Sequence, residues 1–131
     1  LVGSEMCIRD SYDASTQTVC YTDLIKVEVS LQDGSIVGLD ARGYLVNHHE
    51  REIAAPALTV EQAEQSLSDA LTVESVRPAL IPTSGQNEAA TYEFLCSSDT
   101  GDRILCYVNS QTGAEEQLLI LLETPNGTLT K

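Results

Sequence analysis

Residues 24–43, LIKVEVSLQDGSIVGLDARG, constrain the fold more than any other stretch of the chain. Positions 27–31 alternate between apolar and polar side chains, which is the period of a strand with one buried face. Asp33-Gly34 is a turn dipeptide, and a second apolar run begins at Ile36. The stretch therefore predicts a β-hairpin.

The chain has 7 Lys and Arg residues against 20 Asp and Glu residues, which gives a formal net charge of −13. This charge narrows the classes of molecule that the chain can bind. Nucleic-acid binding uses Lys and Arg to neutralise phosphates, and docking on anionic lipid needs the same charges. No apolar run approaches the length of a membrane span. We therefore expect no nucleic-acid partner and no membrane contact by these residues, while a basic protein partner stays compatible with the charge.

The cysteines do not form a metal pattern, because no Cys-x-x-Cys pair is present. If Thr100-Gly101 is a two-residue turn, Cys96 faces Leu105, and Cys106 points to the other face of the sheet. A longer loop changes that register. We expect free, half-buried thiols. The chain has four cysteines: Cys7, Cys20, Cys96 and Cys106.

Before the hairpin, the sequence indicates one possible short strand, at residues 18–21, and little other regular structure. Residues 1–11, LVGSEMCIRDS, resemble translated sequencing adapter, and we expect little stable structure there. If so, the natural chain begins further upstream, and residues 12–50 are the C-terminal part of a truncated repeat. Within them, residues 44–46 are predicted to continue in extended form. Residues 51–58 are predicted to be a linker.

Residues 59–124 predict a complete domain that opens with a helix. Thr59 and Gln62 fit a capping box, and the helix is predicted to run from Val60 to about Ala70. Its apolar stripe is Val60, Ala63, Leu67, Ala70 and Leu71. Strands are predicted at residues 72–81, 90–96, 103–109 and 117–122, and residues 125–131 are predicted to be a tail.

The two hairpins of the chain share a pattern. In each, the second strand ends in an Asp or Asn, Asp40 or Asn109, and a turn that contains Gly43 or Gly113 comes next. A helix and a strand precede only the second hairpin. Two copies of one unit, the first without its front, explain the chain economically.

The second copy resembles a PepSY domain, with a helix that opens LTVEQAEQ and a strand-turn-strand segment YVNSQTGAEEQL. The segments YTDLIKVEVSLQDGSIVGLDARGYLVNHHERE and GDRILCYVNSQTGAEEQLLIL resemble the C-terminal region of YpeB-like spore germination proteins. The fold class is therefore expected to be α+β. We expect an antiparallel sheet with one packed helix, preceded by the hairpin end of a truncated second repeat.

The resemblance also implies a function. YpeB-like proteins have a membrane anchor and tandem PepSY repeats on the outer side of the spore inner membrane. They are needed for the accumulation and control of SleB, a lytic transglycosylase that degrades cortex peptidoglycan. The implied partners are a SleB-type enzyme and the neighbouring PepSY repeats of the full-length chain. The alternative is a generic extracytoplasmic PepSY domain, a protease inhibitor or scaffold without a spore role.

His48, His49, Glu50 and Glu52 invite a metal interpretation. Adjacent side chains of an extended segment point to opposite sides, so the two histidines do not easily share one ion. We therefore predict a solvated linker. If His48 instead packs on the hairpin, it forms a contact that is sensitive to pH.

No other residues indicate chemistry. Asp99, Asp102, Glu115 and Glu116 lie in predicted turns, without the apolar surroundings that would raise one carboxyl pKa for glycoside hydrolysis. The Gly-x-Ser-x-Gly elbow of serine hydrolases is absent. Asn126 opens a glycosylation sequon that a Pro-Asn-Gly turn explains more simply. We predict no catalytic, cofactor-binding or metal-binding residues, no cofactor and no enzyme activity.

Overall fold

The computed structural model describes residues 4–85, 87–124 and 127–130. The described chain divides into two compact units, residues 1–52 with 80–88 and residues 53–79 with 89–131. None of its helices is long and apolar enough to cross a membrane. Its elements are β1 Ser4–Asp13, β2 Thr18–Ser30, β3 Ile36–Asp40, α1 Arg42–Asn47, α2 Val60–Glu64, β4 Leu71–Pro82, β5 Glu88–Ser98, β6 Arg103–Asn109, β7 Glu115–Thr124 and β8 Gly127–Thr130.

In the first unit, β2 pairs antiparallel with β1 along one edge and with β3 along the other. The expectation of little stable structure in residues 1–11 is wrong for Ser4–Asp13, which form β1. Cys7 lies opposite Val27 in the ladder. The physical reason is that β2 would otherwise present a long row of unpaired backbone groups, which a pairing strand satisfies.

The predicted hairpin is confirmed, and its turn uses the residues that the sequence indicated. Gly34 has φ of +74°, a conformation that favours glycine. Its amide donates to Ser30 O at 2.9 Å, and Ser30 N donates to Ser35 O at 2.8 Å. Asp33 Oδ1 accepts from Ser35 N at 3.0 Å. The local turn chemistry therefore sets where the chain reverses.

The prediction that residues 44–46 continue in extended form is wrong, because Arg42–Asn47 form the helix α1. Asp40 Oδ1 accepts from Arg42 N at 3.1 Å, which turns the chain at the end of β3. A Cβ on Gly43 would lie 3.2 Å from Leu24 O, so the helix approaches β2 closely at this glycine. The Asx turn at the strand end outweighs the extended preference of the apolar residues after it.

Strands β4, β5, β6, β7 and β8 lie side by side in the sheet in that order, and they belong to the second unit except for residues 80–82 of β4 and residue 88 of β5. Cys96 lies opposite Ile104, and Phe94 lies opposite Cys106. The register expected for a two-residue turn, with Cys96 opposite Leu105, is therefore not the one formed, and both thiols share one face. The longer loop is the cause: Ser98 N donates to Asp102 O at 2.9 Å, so the turn occupies more than two residues.

The thiols of Cys20, Cys96 and Cys106 are free and buried. Cys96 and Cys106 belong to the same apolar cluster of the second unit. Burial raises the pKa of the Cys106 thiol to about 12, and burial also raises the pKa of Cys96. These thiols are therefore protonated and unreactive at neutral pH.

The capping box that opens α2 is confirmed. Gln62 N donates to Thr59 Oγ1 at 3.3 Å, and Thr59 N donates to Gln62 Oε1 at 2.9 Å. The helix is shorter than predicted, since it ends at Glu64 instead of about Ala70. Ser66 N donates to Ala63 O at 3.0 Å, so the chain tightens into turns there.

The core of the second unit lies between α2 and one face of the sheet. Ala63 on α2 is fully buried, and Tyr92 O–H donates to Leu58 O at 2.9 Å. The α+β architecture with one packed helix is thus confirmed. Gly127–Thr130, predicted to be part of a tail, form β8 and pair with β7. The buried cluster is Ala63, Tyr92, Phe94, Cys96, Cys106 and Val108.

Candidate functional site

A largely covered arginine of the first unit lies against a buried aspartate. The Arg51 side chain is 12% exposed and the Asp23 side chain is 1% exposed. Arg51 Nη1 donates to Asp23 Oδ2 at 2.9 Å, and Nη2 donates to Oδ1 at 3.0 Å. Such a two-bond fork is the strongest geometry of an arginine–carboxylate pair. The first residue of the predicted linker is therefore an internal cation.

A second carboxylate lies against the same arginine. Glu88 Oε2 lies 3.3 Å from Arg51 Nε, within ion-pair distance but without the geometry of a hydrogen bond. Thr22 Oγ1 donates to Glu88 Oε1 at 2.5 Å. Arg51 Nη2 also donates to Asn47 O at 2.8 Å. We call Asp23, Arg51 and Glu88, with His48, the Arg51 cluster.

The two carboxylates occupy matching places in the two hairpins. Asp40 lies opposite Lys26 on β2, and Asn109 lies opposite Thr91 on β5. Asp23 and Glu88 each precede that opposed residue by three positions. Arg51 therefore pairs with Asp23 of the first hairpin and with Glu88, the residue at the matching position of the second hairpin.

His48 contacts this cluster while its side chain stays 46% exposed, so the segment is solvated here but is not a free linker. His48 Nδ1 lies 2.7 Å from Asp23 Oδ2, and its ring stacks on Tyr44 with centroids 4.3 Å apart. Asn47 Nδ2 donates to Thr22 O at 3.1 Å and fastens the same segment to β2. His48 thus packs on the hairpin, the other possibility that the sequence left open.

The neighbouring acidic residues and His49 do not join the cluster as metal ligands. His49 Nδ1 lies 2.6 Å from Asn47 O, and Glu50 and Glu52 are exposed. The part of the chain that the structure describes has no group of three His, Cys, Asp or Glu residues arranged to hold a metal ion.

The Arg51 cluster favours an ionised Asp23. Burial alone would raise the pKa of this carboxyl, but hydrogen bonds from Arg51 and His48 outweigh it and lower the pKa. A carboxylate held in this state is a poor proton donor at neutral pH. The ion pairs of the cluster therefore hold the segment after α1 against β2.

The second unit has its own buried carboxylate, Glu93 on β5, which is 4% exposed. Arg77 Nε donates to Glu93 Oε1 at 2.6 Å, and Tyr107 O–H donates to Oε2 at 2.8 Å. This group was not predicted from the sequence. Its one signal was an isolated Glu in the apolar strand ATYEFLC, because such a residue needs a partner if it is buried.

The carboxylates considered for glycoside chemistry lie at opposite ends of β6. Asp99 and Asp102 belong to the turn before this strand, while Glu115 and Glu116 begin the strand after it. β6 has 7 residues, and this length separates the two pairs by roughly 20 Å. Carboxyls that act together on a glycoside lie within about 10 Å of each other. Asn126 lies outside the described residues.

An exposed apolar surface is the remaining feature of the first unit. We define the β3 edge as Ile36–Asp40 together with the exposed side of α1. It carries more exposed large apolar side chains than any other part of the chain with described side chains. They are Ile36 71%, Val37 57%, Leu39 69%, Leu45 77% and Val46 80% exposed.

Comparisons with known proteins agree on one family. Residues 12–54 match the family model described as YpeB sporulation, PepSY1 and PepSY2 domains. A protein named Sporulation protein YpeB from Halalkalibacterium halodurans is 41% identical over 99 residues, which are 75% of this chain and 22% of that protein. The protein of the same name from Bacillus subtilis is 35% identical over 98 residues, again 75% and 22% of the two chains.

A solved structure extends the likeness to the fold. The Bacillus megaterium YpeB C-terminal domain matches with a TM-score of 0.83 and 30% sequence identity. The match covers 92% of this chain and 53% of that chain. The likeness therefore includes residues of both compact units.

Proposed function

The chain belongs to the YpeB family of PepSY-domain sporulation proteins, and from this premise we propose that it is a non-catalytic binding module. The module stabilises, localises or restrains a SleB-type cortex-lytic transglycosylase. The observation that carries the proposal is the structural match over 92% of the chain at 30% identity, which joins family and fold in one comparison.

The buried charges support a binding role over a catalytic one. Asp23 is neutralised by Arg51, and Glu93 accepts hydrogen bonds from Arg77 and Tyr107. Groups held in this way stabilise a fold, whereas a general acid or base needs a pKa near the working pH and access to a substrate. The exposed β3 edge, in contrast, offers contact area.

The setting of the module is part of the proposal. We place it on the outer side of the spore inner membrane, towards the cortex, with neighbouring PepSY repeats and the lytic enzyme as partners. The chain spans about a fifth of the relatives that it matches, at 22% of their length. We therefore propose for this chain only a contribution to the activity of such a whole protein, on the basis of the matched region.

Calorimetric titration of the chain with a purified SleB-type enzyme tests the proposal. We expect saturable binding, together with either slower cleavage of cortex peptidoglycan or slower proteolysis of the enzyme. An unrelated acidic protein of similar net charge is the control for non-specific attraction. Absence of binding, of inhibition and of protection would contradict the proposal.

The alternative is a PepSY protease inhibitor or scaffold without a spore role. Parallel titrations against secreted proteases and the lytic enzyme separate the two, because the alternative predicts binding to the proteases alone. A lytic transglycosylase gene beside the gene for this chain favours the spore role.

Peptidoglycan cleavage by the chain itself would point to an enzyme instead. The cleavage would have to disappear with Glu115→Gln or Asp102→Asn, since these were the carboxylates considered for such chemistry. We expect no cleavage by the unaltered chain.

A further inference from the structure

The β3 edge has an unused side for pairing. Within the described residues, β3 pairs only with β2, so its outer edge presents backbone donors and acceptors without a strand partner. Ile36, Val37 and Leu39 on this strand are more than half exposed. A strand that has one unpaired edge and apolar side chains on both faces can pair with a strand of another chain.

The usual protection of an edge strand is missing at its centre. Natural edges carry Lys, Pro or inward-pointing charges that discourage pairing. Residues 36–39 read Ile-Val-Gly-Leu and contain none of these. The helix α1 follows β3 in the sequence, and its Leu45 and Val46 are 77% and 80% exposed. They add to the exposed apolar area of this part of the chain.

The charges around the strand are acidic at its start and mixed at its end, where Arg42 forms an ion pair with Asp40 and Lys26 lies opposite Asp40. Asp33 precedes it and Asp40 ends it, and hydrogen bonds lower the pKa of both carboxyls, from Ser35 to Asp33 and from Arg42 to Asp40. The Glu28 carboxylate lies across the middle, because its Oε2 would be 3.0 Å from a Cβ on Gly38. A strand that docks here therefore gains from a basic residue at the end that lies near Asp33.

We propose that the β3 edge binds an extended apolar segment of a second protein, with a basic residue at the end near Asp33, which joins the sheet as an added strand. This deepens the proposed function and rests on it, because it assigns the surface that the lytic enzyme uses. Strand addition draws its affinity from backbone hydrogen bonds and its selectivity from alternate side chains.

The same charges disfavour the other occupants. A second copy of the chain carries the same net charge of −13, so two copies repel each other. An anionic lipid surface would be repelled by the net charge of −13.

A peptide titration followed by NMR tests the proposal on the whole chain. The probe is Lys-Val-Thr-Val-Thr-Val-Lys, and the matched peptide has Glu at both ends. We expect shifts and slowed exchange of backbone amides within Ile36–Asp40, with affinity about tenfold weaker for the Glu peptide.

Variants make the test specific to the edge. We expect Val37→Lys to weaken binding of the Lys peptide about tenfold, because the charge protects the edge. Tyr12→Lys is the control, since Val37 and Tyr12 are each 57% exposed and Tyr12 lies on β1. Equal binding by Val37→Lys, shifts away from β3, or dimerisation of the chain through this edge would overturn the proposal.

The same variants distinguish the surface from the function. If the lytic enzyme binds the chain and Val37→Lys leaves that binding intact, the surface is wrong and the proposed function stands. If the Lys peptide binds at β3 and the enzyme does not bind, the proposed function fails while strand addition remains.

Discussion

At the scale of single residues, Arg51 connects parts of the chain that are distant in sequence. It forms a two-bond fork with Asp23, 28 positions earlier, and an ion pair with Glu88, 37 positions later. A buried ion pair is costly to form because both charges lose water, and its loss is more costly when one partner remains alone. Arg51 therefore determines whether the buried Asp23 and the half-buried Glu88 are tolerated together.

We expect Arg51→Met to lower the free energy of unfolding by about 3–5 kcal/mol, the usual cost of leaving a buried charge unpaired. Arg42→Met is the matched control, because Arg42 forms a fork with Asp40 while its own side chain is 87% exposed. The control is expected to lose no more than about 1 kcal/mol. Urea unfolding of both variants measures the difference, and equal losses would contradict a special role for Arg51.

The pH dependence of stability should report Asp23. Its pKa is lower in the folded chain than in the unfolded chain, so the unfolded chain binds more protons as the pH falls. Its contribution is present above about pH 4, the ordinary pKa of Asp, and is lost as the pH falls through the folded value. Asp23→Asn should therefore flatten the loss of stability below about pH 4 in urea titrations, whereas an unchanged slope would show that other carboxyls dominate.

At the scale of elements, the second strand of each hairpin is followed by a turn in which an Asp or Asn side chain accepts a backbone hydrogen bond. Asp40 Oδ1 accepts from Arg42 N at 3.1 Å, and Asn109 Oδ1 accepts from Gln111 N at 2.9 Å. In both copies the Asx side chain satisfies the amide two residues on. The next element differs between the copies, since the first turn leads into α1 and the second leads through Gly113 into β7.

Two glycines of the second unit allow a paired test. Gly101 and Gly113 have φ of +89° and +75°, so Gly→Ala strains the backbone by roughly 1–2 kcal/mol at either position. A Cβ at Gly101 meets nothing within 4 Å, whereas one at Gly113 lies 3.1 Å from Leu58 Cδ1. We expect Gly113→Ala to lower the thermal unfolding midpoint more than Gly101→Ala, and the reverse order would contradict this packing.

The features that were predictable from the sequence were local. The capping residues Thr59 and Gln62 and the turn at Asp33-Gly34 act within a few positions, so their residue types suffice. The end of α2 depended on Ser66, whose Oγ donates to Gly113 O at 2.8 Å, 47 positions away. Such a contact has no local signature.

The candidate site was largely beyond prediction for the same reason. The sequence placed His48 in a linker and left its packing open, because nothing local indicates Asp23 as its partner. The Cys96 register depended on the length of one loop, and a change of one residue reverses every face of a strand. The family resemblance indicated the class of function. The β3 edge was not predictable, because the exposed fraction of an apolar side chain depends on the packing of distant residues.

At the scale of the whole chain, charge and exposed apolar area act together. The net charge of −13 repels other acidic molecules, while β3 and α1 together carry five large exposed apolar side chains. If the partner is basic, as proposed, long-range attraction acts before short-range contacts form. The balance predicts association that is fast and sensitive to salt.

We expect the association rate with the SleB-type enzyme to fall about tenfold or more as the salt concentration rises from about 50 to 500 mM, because screening shortens the range of attraction. The dissociation rate should change much less, since it depends on contacts already formed. Stopped-flow measurements with Tyr12→Lys as a second reference check this. A rate that is independent of salt would show that charge does not guide the encounter.

The buried thiols give each unit its own reporter of opening. Cys20 lies in the first unit, whereas Cys96 and Cys106 lie in the second, and all three are at most 4% exposed. With Cys7 replaced by serine, a maleimide reacts only when the surrounding structure opens. The labelling rate of each site therefore reports local unfolding around that site, and it follows the two units separately in one sample without any introduced cysteine.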